Sequence, residues 1–246
     1  MSKKSFIQAG FAAAALSTAA ILNSATAATA VEVTVTIDNL SPEQGLVLTP
    51  FWVGFHAGDY DLYEFGEAAS PELERIAEDG DPMPLREAFM SGDAARLDGV
   101  VTGEGISPES PPLIPPNTSA TMTFELDETH QFFSYASMIL PSNDGFIGNE
   151  SGISYRLFDA NGEFIGTDFV VIGSQILDAG TETNDEAAEN VPLLGQTEPD
   201  TGMTEGGTIA KHPGVAAGGD VLMAFPNADF TQGLYPLARI RVELAE

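Results

Sequence analysis

Two loops carry the residues best suited to chemistry. "PSNDGFIG" (141–148) follows the apolar run "FFSYASMIL" and holds Asp144 near its tip, while "ILDAGTETNDE" (176–186) opens a second apolar run onto Asp178 and Glu182. Carboxylates, backbone carbonyls and water are the oxygens a calcium ion takes, about six to eight at a time, from flexible loops. Strand ends project their connections into shared space, so two such loops can meet around one cation. The Asp-Ala-Gly-Thr-Glu spacing lets a glycine-assisted turn fold Glu182 back beside Asp178. Three converged carboxylates without a cation would repel one another. The plain alternative stays open at this point: with 37 acids in the chain, an acidic loop is also what simple solvation would produce.

Other constellations point to less. "DANGEF" sets out Asp159, Asn161 and Glu163 like the start of a calcium loop, but Phe164 and Val170 stand where that loop needs glycine and a final glutamate. Its Asn161-Gly162 pair reads instead as a hairpin with a type I′ turn. His56, His130 and His212 are far apart, and no HExxH, Gly-x-Ser-x-Gly or phosphate-cradling glycine motif accompanies them. Phe51, Trp52, Phe55, Tyr60, Tyr63 and Phe65 form either a sugar-stacking surface or part of the core.

The elements that position these loops are mostly strands. "VEVTVTID" (31–38) and "PLARIRVEL" (236–244) alternate apolar and polar residues, the pattern of strands with one wet face. "LVLTPFWVGFHAG" (46–58), broken at Pro50, "FFSYASMIL" and "DFVVIGSQILD" (168–178) are long apolar runs and read as buried strands. "TMTFELD" adds an alternating strand, and the Pro-rich stretch 107–120 is a surface connection. Ser70 as N-cap, Pro71 at the first helical position and Gly80 as a stop define one helix, and "PLREAFMSG" a second. Residues 179–220 are poor in hydrophobics and read as one long loop. Short strands, turn signals and helices confined to one insertion predict an all-β fold, a single-domain antiparallel β-sandwich with a short helical insertion.

Composition bounds the setting. A basic start, an apolar Ala-rich stretch and Ala25-Thr26-Ala27 have the layout of a signal peptide cleaved after Ala27, which leaves one domain over 28–246 and an exported protein, secreted or periplasmic. Removing Lys3 and Lys4 leaves 9 − 2 = 7 basic against 37 acidic side chains, a net charge of −30. Such acidity excludes nucleic acid and anionic membrane surfaces as direct partners. There is no cysteine, hence no disulfide, thiolate nucleophile or sulfur metal site. No anchor or sorting segment follows "RVELAE", so a covalently attached form is not expected.

In that order, before the final "ARIRVEL" strand, "FWVGFHAGDYDLYEFGEAASPELERIAEDGD", "FSYASMILPSNDGFIG" and "ILDAGTETNDE" resemble the spondin domain, the module found in F-spondin and in many exported bacterial proteins. The resemblance covers roughly residues 31 to 244. It implies a β-sandwich similar to the calcium-dependent phospholipid-binding domains, with one calcium ion at a loop end. The aspartate after Pro-Ser-x falls on Asp144, the one opening Asp-Ala-Gly-Thr on Asp178, and the acid closing that stretch on Glu182. Two departures stand out: Glu182 replaces the aspartate usual in animal members, and Gly145 stands where they carry tryptophan. The reading is an exported, monomeric calcium-binding module, not an enzyme, that binds a protein or glycan ligand. The rivals are a hydrolase with a site built from the 179–220 loop, and an acidic structural or matrix protein.

Overall fold

The computed structural model describes residues 30–246; the expected leader, residues 1–27, lies outside them. Among the described residues the strands are β1 (Val31–Asn39), β2 (Val47–Leu48), β3 (Phe51–His56), β4 (Leu97–Val101), β5 (Ser119–Leu126), β6 (Phe132–Leu140), β7 (Gly145–Gly148), β8 (Tyr155–Arg156), β9 (Thr167–Ile172), β10 (Leu177–Asp178), β11 (Ala210–Lys211) and β12 (Pro236–Leu244). Helices α1 (Pro71–Asp79) and α2 (Met83–Met90) lie between β3 and β4, and α3 (Asp220–Ala224) precedes β12.

Two antiparallel sheets form. One has the order β5-β1-β12-β9; the other runs β11-β10-β7-β6-β3-β4, with β2 and β8 also paired to β6. Alternation in β1 and β12 has a direct cause. Val33, Val35, Ile37, Ile240 and Val242 are fully buried between the sheets, while Glu243 and Arg239 face water. The second sheet is covered on both sides, which is why β3 and β6 are buried at every residue and read as continuous apolar runs. Its inner face packs on β1 and β12, and its outer face lies under α1 and α2 through Trp52, Leu73, Ile76, Leu85 and Phe89. Pro50 interrupts the edge between β2 and β3, where the Thr49 hydroxyl takes over as acceptor for the Met138 N–H at 3.1 Å.

Helix α1 begins and ends where its cap residues demand. The Ser70 hydroxyl accepts the Leu73 N–H at 3.3 Å, Pro71 opens the helix, and Gly80 closes it in the left-handed region at φ 63°. Ser70→Ala removes that acceptor and is expected to cost about 1 kcal/mol, read as a lower urea midpoint at unchanged slope.

Three expectations need correction. The run 168–178 is not one buried strand. β9 is a half-exposed edge of the first sheet, and a 3₁₀ turn at Gly173–Gln175 carries the chain across to β10 in the second. Gly173 lies directly against the Phe230 carbonyl, where no side chain fits. The turn at Asn161-Gly162 is not type I′ either: only Gly162 has positive φ, at 79°. The Gly162 N–H donates to the Asp159 carbonyl at 3.2 Å, a type I turn followed by a glycine bulge. The stretch 179–220 is not featureless, since it contributes β11 and is pinned by Thr183 N–H to Met203 O at 2.8 Å and Gly207 N–H to Gly180 O at 2.7 Å.

Candidate functional site

The pairing of β7 with β10 builds the site. Asp178 lies opposite Gly145, and the Ala179 N–H donates to the Asp144 carbonyl at 3.2 Å, so the two acidic loops leave neighbouring strands side by side. Gly145 fits because a Cβ there would come within 2.7 Å of Ser142 Oγ and 3.0 Å of Ile139. That crowding is a local reason why no tryptophan stands at this position.

Asp144 is completely buried. Its Oδ2 accepts the Thr181 N–H at 2.9 Å, the Glu182 N–H at 3.1 Å and the Thr181 hydroxyl at 3.3 Å, while Oδ1 has no partner. Burial and then the Asp178 charge push its pKa up to about 6, against the pull of the donors on residues 181 and 182. On Asp178, Oδ1 accepts the Gly180 N–H at 2.8 Å and Oδ2 accepts the Asn184 amide. Gly180 adopts φ 68° to make that turn, and a Cβ there would meet the Thr208 N at 2.5 Å.

Glu182 is 2% exposed. Its Oε1 accepts the Asn143 amide at 3.1 Å and its Oε2 is left without a partner. Burial raises its pKa to about 7, with the charges of Glu78, Asp144 and Asp185 adding and the Asn143 hydrogen bond opposing. The glycine turn forms, but it hands the Glu182 carboxyl to Asn143 instead of folding it onto Asp178. Asp144 feels the charge of Asp178, and Glu182 that of Asp144, but among the described residues no three acidic or histidine side chains close into a metal shell.

The residues not foreseen are those that hold the loops. Asn143 donates to Glu182 and, at 3.2 Å, to Asp185 Oδ1, while its own Oδ1 accepts the Glu186 N–H at 3.2 Å. Thr181 and Asn184 hold Asp144 and Asp178. Glu78, at the end of α1, is 4% exposed and faces the Thr181 hydroxyl; burial pushes its pKa up to about 7. The one sequence signal for Glu78 is its position, an acid in the last turn of a helix. Among the described residues no lysine or arginine forms an ion pair with any of these four acids; His212 feels the Asp178 charge, but burial lowers its pKa to about 4 and keeps the ring neutral near pH 7. Five arginines pair elsewhere, Arg75 with Asp79, Arg86 with Asp98, Arg96 with Asp59, Arg239 with Asp168, and Arg241 with Asp38 and Glu243, while Arg156 lies over the Phe132 ring. The cluster is therefore rich in acceptors, buried, and without an internal counter-charge. Two of its carboxylate oxygens, Asp144 Oδ1 and Glu182 Oε2, are buried without a partner.

The matched family model is Spondin_N, which covers residues 42–199 and spans more than half of the sequence, including both loops and the helical insertion. The chain belongs to the Spondin_N family. Membership carries the reading of an extracellular module, and no helix among the described residues is long and apolar enough to cross a membrane. No curated protein matches the chain. In this Spondin_N chain Phe51, Trp52 and Phe55 are fully buried, so they belong to the core and not to a sugar-stacking surface, while Phe65 is half exposed.

One histidine does reach a serine. His56 Nε2 lies 3.0 Å from Ser134 Oγ, and Asp59 lies 3.8 Å from His56 Nδ1. The Gly58 N–H donates to Nδ1 at 3.1 Å, so the neutral ring carries its proton on Nε2 and donates to Ser134, which also accepts from Asn149 at 3.2 Å. A general base for that serine would need the opposite tautomer, and both side chains are fully buried. Burial lowers the His56 pKa to about 4, with Asp59 and Asp61 opposing and Arg96 assisting. The unfolded imidazole takes its proton near 6.5 and the folded one near 4, so protons favour the unfolded chain between those values. His56 alone therefore costs stability as pH drops through that window, while the raised carboxyls of Asp144, Glu182 and Glu78 act in the opposite sense. His56→Gln is thus expected to gain stability relative to wild type in urea unfolding between about pH 6.5 and about pH 4. Equal slopes would contradict the assignment. The cavity of about 280 Å³ between α1 and the long loop is lined by Thr49, Asp79, Leu113, Leu193 and Gln196, and His212 lines only a space of about 10 Å³ beside Ser142, Asn143 and Glu186.

Proposed function

We propose that this chain is an exported calcium-binding β-sandwich module that binds a protein or glycan ligand outside the cytoplasm and carries no reaction of its own. One structural calcium ties the 141–148 loop to the 178–186 loop. Asp144 through its free Oδ1, Asp178, and Glu182 through its free Oε2 would hold the ion. When bound, calcium supplies positive charge to carboxylates that otherwise repel, and stabilises the fold by binding the native state preferentially. Asn143 and Thr181 orient two of the carboxylates, and any open coordination position on the ion offers a bridge to a ligand.

The observation that carries this reading is the pair of buried, unpartnered oxygens, Asp144 Oδ1 and Glu182 Oε2, in a cluster of acids. Family membership supports the extracellular setting. The tautomer of His56 weighs against the hydrolase rival. Isothermal titration calorimetry with calcium at fixed ionic strength tests the proposal. One saturable event of unit stoichiometry is expected. A shallow response suppressed by added salt would instead favour the acidic structural protein, whose carboxylates bind cations diffusely.

A further inference from the structure

The cavity of about 280 Å³ beside the end of α1 takes no part in the proposed calcium site. Its volume is near the lower end for ligand pockets, about 300–1,000 Å³. Pro50, Pro111, Leu113, Leu140, Pro192 and Leu193 give it apolar walls, and its polar side chains are Thr49, Asp79 and Gln196. The Thr49 hydroxyl is occupied by the Met138 N–H. Asp79 and Gln196 have acceptors to spare. The Asp79 side chain is 8% exposed, and its Oδ1 accepts the Asp200 N–H at 3.2 Å. Arg75 Nη1 lies 2.6 Å from Oδ2 as an ion pair, yet no aligned hydrogen bond reaches that buried oxygen. The Gln196 amide nitrogen donates to the Thr201 hydroxyl at 3.3 Å, which leaves its carbonyl oxygen as an acceptor. A ligand in this cavity therefore has to bring donors.

Electrostatics set the charge of that donor. Asp79 is the last residue of α1, where a helix carries partial negative charge, and the last turn holds no basic residue. Burial raises the Asp79 pKa, with the Arg75 charge opposing and the charges of Asp200 and Asp81 adding. Arg75 thus stands alone against three aspartates. The walls are built from constrained backbone. Gly80 brings the helix end so close to Thr49 that a Cβ would come within 2.5 Å of its methyl group, and Leu193 adopts φ 71°, which a side chain tolerates only where its surroundings impose it. We propose that this cavity binds a small organic amine, its apolar body against Leu113, Leu140 and Leu193 and its ammonium donating to Asp79 Oδ2 and the Gln196 carbonyl. The site is separate from the calcium reading and does not depend on it.

The test uses the full mature chain with labelled leucine methyls, in chelator at fixed ionic strength, and cyclohexylmethylamine as the probe. NMR titration is expected to shift the methyl signals of Leu113, Leu140 and Leu193 saturably. Asp79→Asn is expected to weaken the amine about tenfold, the worth of one hydrogen bond to a charged group. Cyclohexylmethanol keeps the body without the charge, and methylamine keeps the charge without the body; each is expected to bind about tenfold more weakly than the probe. Equal affinity for the alcohol, or unchanged affinity in Asp79→Asn, overturns the proposal. An equal response to methylamine also overturns it, because diffuse attraction to an acidic surface would then suffice. Absence of saturable shifts at those three leucines removes the site. If Asp79→Asn does not fold, the three-probe comparison on wild type decides alone.

Discussion

Saturating calcium is expected to raise the midpoint of thermal unfolding by several degrees at fixed ionic strength, and Asp178→Ala to abolish that rise. A ligand at about one hundred times its dissociation constant stabilises the native state by roughly 2.7 kcal/mol. For a domain of this size that corresponds to a shift of roughly 5–10 °C. Asp178 is the better target than Asp144, because Asp178 accepts only from Gly180 and Asn184 of its own loop, whereas Asp144 Oδ2 holds the amides of Thr181 and Glu182 across the two loops with or without metal. Asp159→Ala is the matched control. Asp159 organises an exposed turn through the N–H groups of Asn161 and Glu163 at 2.8 and 3.0 Å. Removing it lowers both midpoints and leaves the calcium increment unchanged. Equal effects of the two substitutions on that increment would argue against the chosen ligands, and an unchanged wild-type midpoint would remove calcium from the account.

Phe89→Ala is expected to cost about 3–5 kcal/mol. Phe89 is fully buried where α2 meets the outer face of the second sheet. Its ring meets Trp52 edge-on at 5.1 Å and Tyr60 at 4.8 Å, and the Arg96 guanidinium lies 5.1 Å from its centroid. Nothing nearby can refill the space. Gly54 on β3 has no side chain to offer, and even a Cβ there would press on Trp52 at 2.7 Å and on Phe89 at 3.0 Å. Arg96 also loses one of its two aromatic partners, keeping Tyr60 at 5.3 Å, while its Nη1 stays tied to the residue 89 carbonyl at 3.0 Å. Urea unfolding measures the cost. A loss below about 1 kcal/mol, far short of a buried phenylalanine's usual contribution, would mean that the insertion unfolds apart from the sandwich.

Legibility in the sequence followed the physics of each element. β1 and β12 were readable because one face is wet, which writes a period of two into the residues. β3 and β6 were readable as apolar runs because both faces are covered. α1 was readable from Ser70, Pro71 and Gly80, whose cap geometry is local. β4 was not: "LDGVV" is short, and its Asp98 is buried only because Trp52 Nε1 donates to it at 3.1 Å and Arg86 pairs with it at 2.9 Å. The crossing at Gly173 was hidden because one apolar run serves two sheets. At the site, the segments bearing Asp144, Asp178 and Glu182 were visible as acidic glycine turns at strand ends, and more sharply through family resemblance. The roles of Asn143, Thr181 and Glu78 were not visible. They depend on the register of β7 against β10 and on where α1 docks, which local sequence does not encode. The same register turned the Glu182 carboxyl toward Asn143, a detail that spacing alone assigned to Asp178.

The most direct measurement is a crystal structure of the mature chain grown in calcium, with the ion identified by its anomalous signal. The account predicts one calcium at the ends of β7 and β10, about 2.3–2.6 Å from carboxylate oxygens of Asp144, Asp178 and Glu182. Ordered 141–148 and 178–186 loops with no ion between them at saturating calcium would contradict it.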